Sequence, residues 1–410
     1  MLKKLKKVYP ALTQRNYRLY WIGQCLSLIG TWMQVTAQQW LVYTLTKSAL
    51  LLGLLGIAQF GPIMCFSLFA GVIIDRYPKK NLLIFTQIGF MLQSLLLALI
   101  VWSGHASYWP IFILALISGF LNTLDHPTRQ SFVPELVESN DLRSAIGLNS
   151  AVFNLARMIG PALATLFMVR YGAGLVFFLN ALSFIPVIGC LYFIRVQRRD
   201  IIQASNKIHQ EVIEGLKYIK QSPVIFSSIL CLLVVGTFIM NFNVTIPIYA
   251  AEVLKQDVSG YGLLLTAFGG GSLVSALVVA SIAKSKPKQR LLFASALIVS
   301  LFLMLLQPLQ FFSLAVIVMA LLGFFTILFM TTVNTTVQLN TTDALRGRVA
   351  SVYSFAFLGT SPIGNLFAGS IMEKLGAGMG IFVCGAISAC LILLIFIRIA
   401  IKKHQNTGNG

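Results

Sequence analysis

The sequence predicts an all-α polytopic membrane protein, with twelve transmembrane helices in two pseudo-repeated six-helix bundles. Three observations carry this reading. Composition comes first: the 410 residues are 57% hydrophobic and only 10% charged, with mean hydropathy +0.83. A soluble domain carries about 25% charged residues, so this chain cannot clothe a water-exposed surface. Its aromatic, apolar character equally excludes disorder. The second observation is a series of long apolar runs, and the third is a set of positions that recur at half the chain length.

A bilayer core is about 30 Å thick and takes about 20 apolar residues to cross as a helix. Open β-structure there would strand backbone polar groups in lipid. Gly, Pro and charge clusters divide the chain into candidate spans at 17–43, 49–74, 81–103, 108–126, 144–169 and 174–195, then 224–251, 258–283, 290–307, 311–336, 347–372 and 378–400. The basic start, MLKKLKK, leads into a run with no suitably placed small-residue cleavage site, so it reads as a retained first span. The expected organisation is an N-terminal six-helix bundle at 1–195, a cytoplasmic linker at 196–223 and a C-terminal six-helix bundle at 224–410. In the linker Ile208, Val212, Leu216 and Ile219 recur at helical spacing, which predicts an amphipathic helix along the membrane surface.

Charge gives a direction. The chain has 31 Lys and Arg against 12 acidic residues, a net charge of +19. Cytoplasmic flanks are enriched in Lys and Arg. With the N-terminus inside, 26 of the basic residues fall in the two tails and the even-to-odd gaps, and four (Lys47, Arg170, Lys255, Lys374) fall on the opposite side. Both termini are therefore expected in the cytoplasm, at the plasma (inner) membrane. The same split accounts for the net charge without a nucleic-acid partner. All six cysteines lie within apolar runs, with no CxxC or Cys/His cluster, so neither a disulfide framework nor a metal site is expected.

Repeats tie the halves together. Leu142-Arg143, Pro161 and Gly172-Ala-Gly174 recur as Leu345-Arg346, Pro362 and Gly376-Ala-Gly378, at offsets of 203, 201 and 204; Gly53 and Pro78 recur as Gly262 and Pro287, offset by 209. Internal duplication in a polytopic protein points to a secondary transporter.

The most specific segment is Gly71-Val-Ile-Ile-Asp75-Arg76-Tyr-Pro-Lys79-Lys80, at the inner end of span two. Gly71 permits close helix approach, Asp75 suits the positive N-terminus of another helix, and Arg76, Lys79 and Lys80 hold the loop in the cytoplasm. This segment resembles the span 2–3 signature of the major facilitator superfamily, G-x-x-x-D-R-x-x-[RK]-[RK], and the resemblance extends over the twelve spans and the six-plus-six division. It implies that Asp75 latches onto the start of span eleven, around Arg346-Gly347-Arg348. The second-half counterpart, Ala283-Lys284-Ser-Lys286-Pro287-Lys288, has no acidic residue. In span five, Asn154-Leu-Ala-Arg157-Met-Ile-Gly160-Pro161-Ala-Leu-Ala164 is similar to the superfamily's antiporter motif, with Ala164 where Gly is usual. A Gly-Pro pair bends a span, and small residues let helices pivot; a simple kinked packing helix is the alternative. Pro362 is the counterpart of Pro161 in span eleven. The opening Arg15-Asn-Tyr-Arg18-Leu-Tyr-Trp21-Ile-Gly23-Gln24 resembles an exporter branch that includes enterobactin-type siderophore exporters and macrolide efflux pumps.

Polar residues recur at helical spacing in four spans: Gln24, Ser27, Thr31, Gln34 and Gln38; Ser118, Asn122, Asp125 and Arg129; Thr237, Asn241, Thr245 and Tyr249; and Thr331, Asn334 and Gln338. Facing lipid, such stripes cost several kcal/mol, so they face water or protein. The resemblance places spans one, four, seven and ten around a cavity, which makes Gln34, Gln38, Asn122, Arg157, Asn241, Thr245, Asn334 and Gln338 candidate cargo contacts; hydrogen bonding between helices is the alternative. Arg157 lies deep in span five. It either binds carbonyls freed near Pro161 or faces the cavity and attracts an anionic cargo. Asp125 is the candidate proton-coupling carboxylate.

The expected function is a secondary active transporter that exports a small amphipathic or anionic organic molecule by alternating access. A lipid or lysolipid flippase on the same fold is the alternative. An enzyme would need clustered His, Asp or Glu at one membrane face, and none is found. No G-x-x-x-x-G-K-[ST] is present, so no nucleotide or other cofactor is expected. The expected partners are a small-molecule cargo and the lipid bilayer, and the expected assembly is a monomer.

Overall fold

A computed structural model describes residues 9–195, 208–282, 289–342 and 345–408, and these are almost wholly helical. The helices are α1 (Arg15–Thr46), α2 (Ala49–Arg76), α3 (Lys79–Trp102), α4 (Tyr108–Leu136), α5 (Leu142–Phe193), α6 (Ile208–Gln221), α7 (Pro223–Phe238), α8 (Phe242–Ile248, continued by a π-turn over Tyr249–Val253), α9 (Val258–Ile282), α10 (Gln289–Leu305), α11 (Phe312–Leu339), α12 (Arg346–Leu358), α13 (Thr360–Leu375) and α14 (Ala377–Gly408). Among the described residues nine helical stretches are long and apolar enough to cross a membrane. The twelve expected spans follow from them. The 52-residue α5 is two spans, α10 is a shorter apolar helix, and α1 is long but diluted by the glutamines, serines and threonines of its buried face.

The expected spans depart from simple rods at three places, each for a local reason. Spans five and six join directly, because Gly172 turns the chain at φ 76°, ψ 174°. Span seven is split into α7 and α8. There the Asn241 side chain donates to the Thr237 carbonyl (2.6 Å), and Met240 N bonds back to Val235 O. Span eleven is split into α12 and α13 at Gly359, three residues before Pro362, which has no N–H to continue the ladder. The half-chain repeat has a conformational echo: Gly376, the partner of Gly172, adopts φ 80°, ψ 164°. Both values lie where an L side chain is strained.

The chain forms two compact units. The described residues up to Lys47 and from Gly61 to Arg195 make the first; Ser48–Phe60 and the residues from Ile208 onward make the second. Large apolar side chains such as Phe69, Leu166, Leu277 and Leu394 are each more than 60% exposed. A soluble surface would not tolerate that belt, and lipid does. The amphipathic linker helix is present as α6. Ile219 is buried, Tyr218 donates to Asn340 O (3.2 Å), and Glu214 pairs with Arg348.

Candidate functional site

In the first unit, small residues bring α1 and α5 together. A Cβ on Gly160 would lie 2.5 Å from Trp32 Cβ, and one on Gly30 would collide with Ser183 and Asn180. Pro161 is buried, and its carbonyl accepts from Thr165 (3.0 Å). Arg157, one turn before Gly160, holds its guanidinium over the Trp32 ring at 5.6 Å, and Phe153 meets the same ring edge-on at 5.7 Å. Trp32 and Arg157 are both half-buried.

Two polar knots lie inside this unit. Gln34 is only 8% exposed. Its Nε2 donates to Gln93 Oε1 (2.9 Å), and its Oε1 accepts from Ser94 Oγ (2.6 Å) and Asn180 Nδ2 (2.8 Å); Asn180 also donates to Ser94 Oγ (3.0 Å). These bonds tie α1, α3 and α5 together. The second knot surrounds Asp125, which is 5% exposed in α4. Its Oδ1 accepts from Thr86 Oγ1 (2.7 Å) and Gln87 Nε2 (2.8 Å), Arg129 pairs with Oδ2, and Arg129 also reaches Gln24 Oε1 on α1. A buried carboxylate with a cation and two neutral donors is electrostatically satisfied.

The second unit is joined by backbone contact. Spans seven and eleven meet where both are broken: a Cβ on Gly236 would overlap Thr360 Oγ1, and one on Gly364 would overlap Thr237 O and lie 2.5 Å from Asn241 Oδ1. Asn241 Oδ1 is buried with no hydrogen-bond partner. Thr245 is buried beside it, donating to Asn241 O (3.2 Å). Between α9 and α11, Gly271 presses on Ala320 O and Gly323 on Phe268 O. Pro362 is buried at the start of α13.

The remaining expected site residues are placed as follows. Gln38 is buried, and Asn122 is half-buried, donating to Ser118 O (3.0 Å). Gln338 is exposed and donates to half-buried Asn334 (2.8 Å). Lys79 pairs with Glu135 (2.7 Å) and donates to Ser131 O, while Lys80 donates to the carbonyls of Tyr192 and Ile194 at the end of α5. These lysines clamp helix ends. Arg76 is exposed. Gly71 does not make the close approach expected of it, since a Cβ there would meet nothing within 4 Å. The Asp75 and Arg346 side chains and the segment 283–288 lie outside the described residues.

Sequence reasoning missed Thr86, Gln87, Gln93 and Ser94 of α3. The signal was available: two polar pairs seven residues apart, on one face of an otherwise apolar helix. Among the described residues no group of three or more His, Cys, Asp or Glu is placed to hold a metal ion.

With this geometry in hand, comparison with known proteins is direct. The family model described as a transmembrane secretion effector matches residues 7–409. The staphyloferrin A transporter of Staphylococcus aureus is 25% identical over 400 residues, covering 96% of this chain and 99% of the relative. Macrolide efflux protein A of Streptococcus pyogenes is 22% identical, covering 91% and 93%. Among solved structures, a bacterial homologue of the human lysosomal transporter Spinster, inward-facing and occupied, superposes with a TM-score of 0.74 at 12% identity, over 95% of this chain and 96% of that one. At that identity the likeness is one of fold.

Proposed function

The chain belongs to the transmembrane secretion effector family of the major facilitator superfamily, a family of efflux transporters and not of enzymes, and we propose that it exports a small anionic or amphipathic organic molecule of siderophore or drug type. The chain is a multi-pass membrane protein. The proposal adds the plasma membrane as its site, cytoplasmic termini, a monomeric working unit and alternating access of two six-helix halves. The relatives named for staphyloferrin A and for macrolides support the cargo class.

The observation that carries the anionic preference is Arg157, held over Trp32 deep within a span. A cation in the middle of a membrane helix costs about 2.5–3.5 kcal/mol on insertion scales. The cation–π contact offsets about 0.5–2 kcal/mol of that. The aromatic ring also presents the guanidinium as a flat, oriented donor, suited to carboxylates. Asp125 is offered as the coupling carboxylate: among the described residues it is the buried acidic side chain, and its two polar neighbours and Arg129 can exchange partners when it gains a proton.

The test is cellular accumulation together with binding. Expression in a pump-deficient host should lower accumulation of a carboxylate siderophore or a macrolide, and the purified protein should gain thermal stability with the exported compound. Stabilisation by lysolipids alone, without an accumulation change, would establish the flippase instead.

A further inference from the structure

Helix α6 is held at the mouths of three spans. It ends at Gln221, and span seven begins at Pro223. Ser222 is the whole connection. Its N–H donates to the Tyr218 and Ile219 carbonyls (both 3.2 Å), and its Oγ accepts from Ile225 N (3.4 Å). A single residue tied on both sides leaves that corner no slack. Farther back, Gly215 presses on the start of span eleven, where an added Cβ would lie 3.1 Å from Arg348 O. Between these points Tyr218 donates to Asn340 O, one residue past the end of span ten. Alternating spans put the starts of seven and eleven and the end of ten on one side of the membrane. A helix fastened to all three runs along the membrane boundary and does not project into water.

The two faces of α6 differ. Gly215 and Ile219, four residues apart, are buried, and Tyr218 beside them is half-buried. Ile213, Leu216, Lys217 and Lys220 stand at i, i+3, i+4 and i+7, on the opposite face. Ile213 is 38% and Leu216 50% exposed, and both lysines are exposed. Glu214 lies off that face and is paired with Arg348 of α12, so its charge is drawn away from the lysines. Single exposed apolar residues mean little in water. At a membrane boundary, apolar side chains interleaved with lysines fit lipid: the apolar groups enter the acyl margin, and each lysine lays its stem there and lifts its ammonium to a phosphate.

We propose that this face of α6 docks on anionic phospholipid headgroups, with Lys217 and Lys220 on lipid phosphates and Ile213 and Leu216 in the acyl margin. The inference goes beyond export and needs only that the chain spans a bilayer. Zwitterionic lipid offers the same acyl margin without the negative surface potential, so the lysines make the selection. Each basic side chain near an anionic surface is worth about five-fold in binding.

Hydrogen–deuterium exchange of the full-length protein in lipid nanodiscs tests the docking. Exchange across 208–221 should be slower in discs containing phosphatidylglycerol than in phosphatidylcholine alone, about five-fold with one lysine engaged and about thirty-fold with two. High salt should shrink the difference. Lys217→Gln combined with Lys220→Gln should abolish it and leave exchange in phosphatidylcholine as in the unaltered protein. Ile213→Ser combined with Leu216→Ser should speed exchange in both lipids, and no change there would overturn the apolar seat. Equal exchange in the two lipids for the unaltered protein would overturn the proposal, as would protection by phosphatidylglycerol that survives loss of both lysines. Inorganic phosphate added to phosphatidylcholine discs should give no protection; protection equal to that of phosphatidylglycerol would make this a free-anion site and overturn lipid docking.

Discussion

Gln34, Gln93, Ser94 and Asn180 meet inside the first unit through side-chain hydrogen bonds between three helices, with Asp125 and Arg129 forming a second such knot. In the second unit Ser300 donates to Ser388 between two buried side chains (3.0 Å), and Gln289 donates to buried Ser227 (3.1 Å). That unit is drawn together by Gly236, Gly271, Gly323 and Gly364 pressing on neighbouring backbone or side chain. In lipid, where apolar burial gives helices no reason to associate, these are the two remedies available: polar glue or close backbone approach. Polar glue is directional and leaves an orphaned group when one member is lost. Close approach has no orphan to leave, but it tolerates no added volume.

Loss of a polar partner should therefore hurt most at the knots of the first unit, and added volume at the glycine contacts, which both units have. The largest effect is expected at the buried ion pair: Arg129→Leu leaves Asp125 without its cation and should cost about 3–5 kcal/mol, seen as a collapse of the detergent melting temperature. Comparable stability would mean that the pair is solvated and the contrast false. Next is Gly323→Val. Its Cβ would overlap Phe268 O, a backbone atom that cannot step aside, and the cost should reach the top of the overpacking range, about 3 kcal/mol. A smaller loss, about 1–2 kcal/mol, is expected for Asn180→Ala, which removes two hydrogen bonds and leaves Gln34 Oε1 and Ser94 less satisfied. Arg157→Gln should cost less in stability, about 0.5–2 kcal/mol for the lost cation–π contact, while weakening anionic cargo more than neutral cargo in a binding titration. Equal weakening would return Arg157 to a packing role. The smallest change should be a gain: Gly71→Ala adds a methyl where nothing stands within 4 Å and should stabilise the helix by about 0.5–1 kcal/mol. If export slows all the same, the close approach expected at Gly71 belongs to another state of the cycle.

Much of this was legible in the chain. Apolar run length alone finds the spans, and the recurrence of Gly172 and Gly376 marked the halves as repeats, though not that both glycines would take nearly the same backbone turn. The polar stripes were visible too, but periodicity says only that a stripe avoids lipid. It does not say whether water or a neighbouring helix receives it, so Gln34 read as a cargo contact while the structure engages it with α3 and α5. The α3 half of that knot was overlooked because Thr86, Gln87, Gln93 and Ser94 form two short pairs rather than a continuous stripe. Nor could the sequence show that Ser48–Phe60 packs on α13. That depends on Gly53 meeting Gly369, over 300 residues away, and no local pattern encodes it.

The paired turns at Gly172 and Gly376 have a consequence for how the chain can be altered. Each reverses direction essentially within one exposed residue, followed at once by a buried alanine, Ala173 or Ala377. Almost no loop separates the two helices on either side, so there is nothing to lengthen, nick or tag. Each helix pair is expected to enter the bilayer as a single hairpin. An epitope inserted at either glycine would pry apart a finished corner, whereas one placed at the exposed Ser103-Gly104-His105 turn has slack to absorb it.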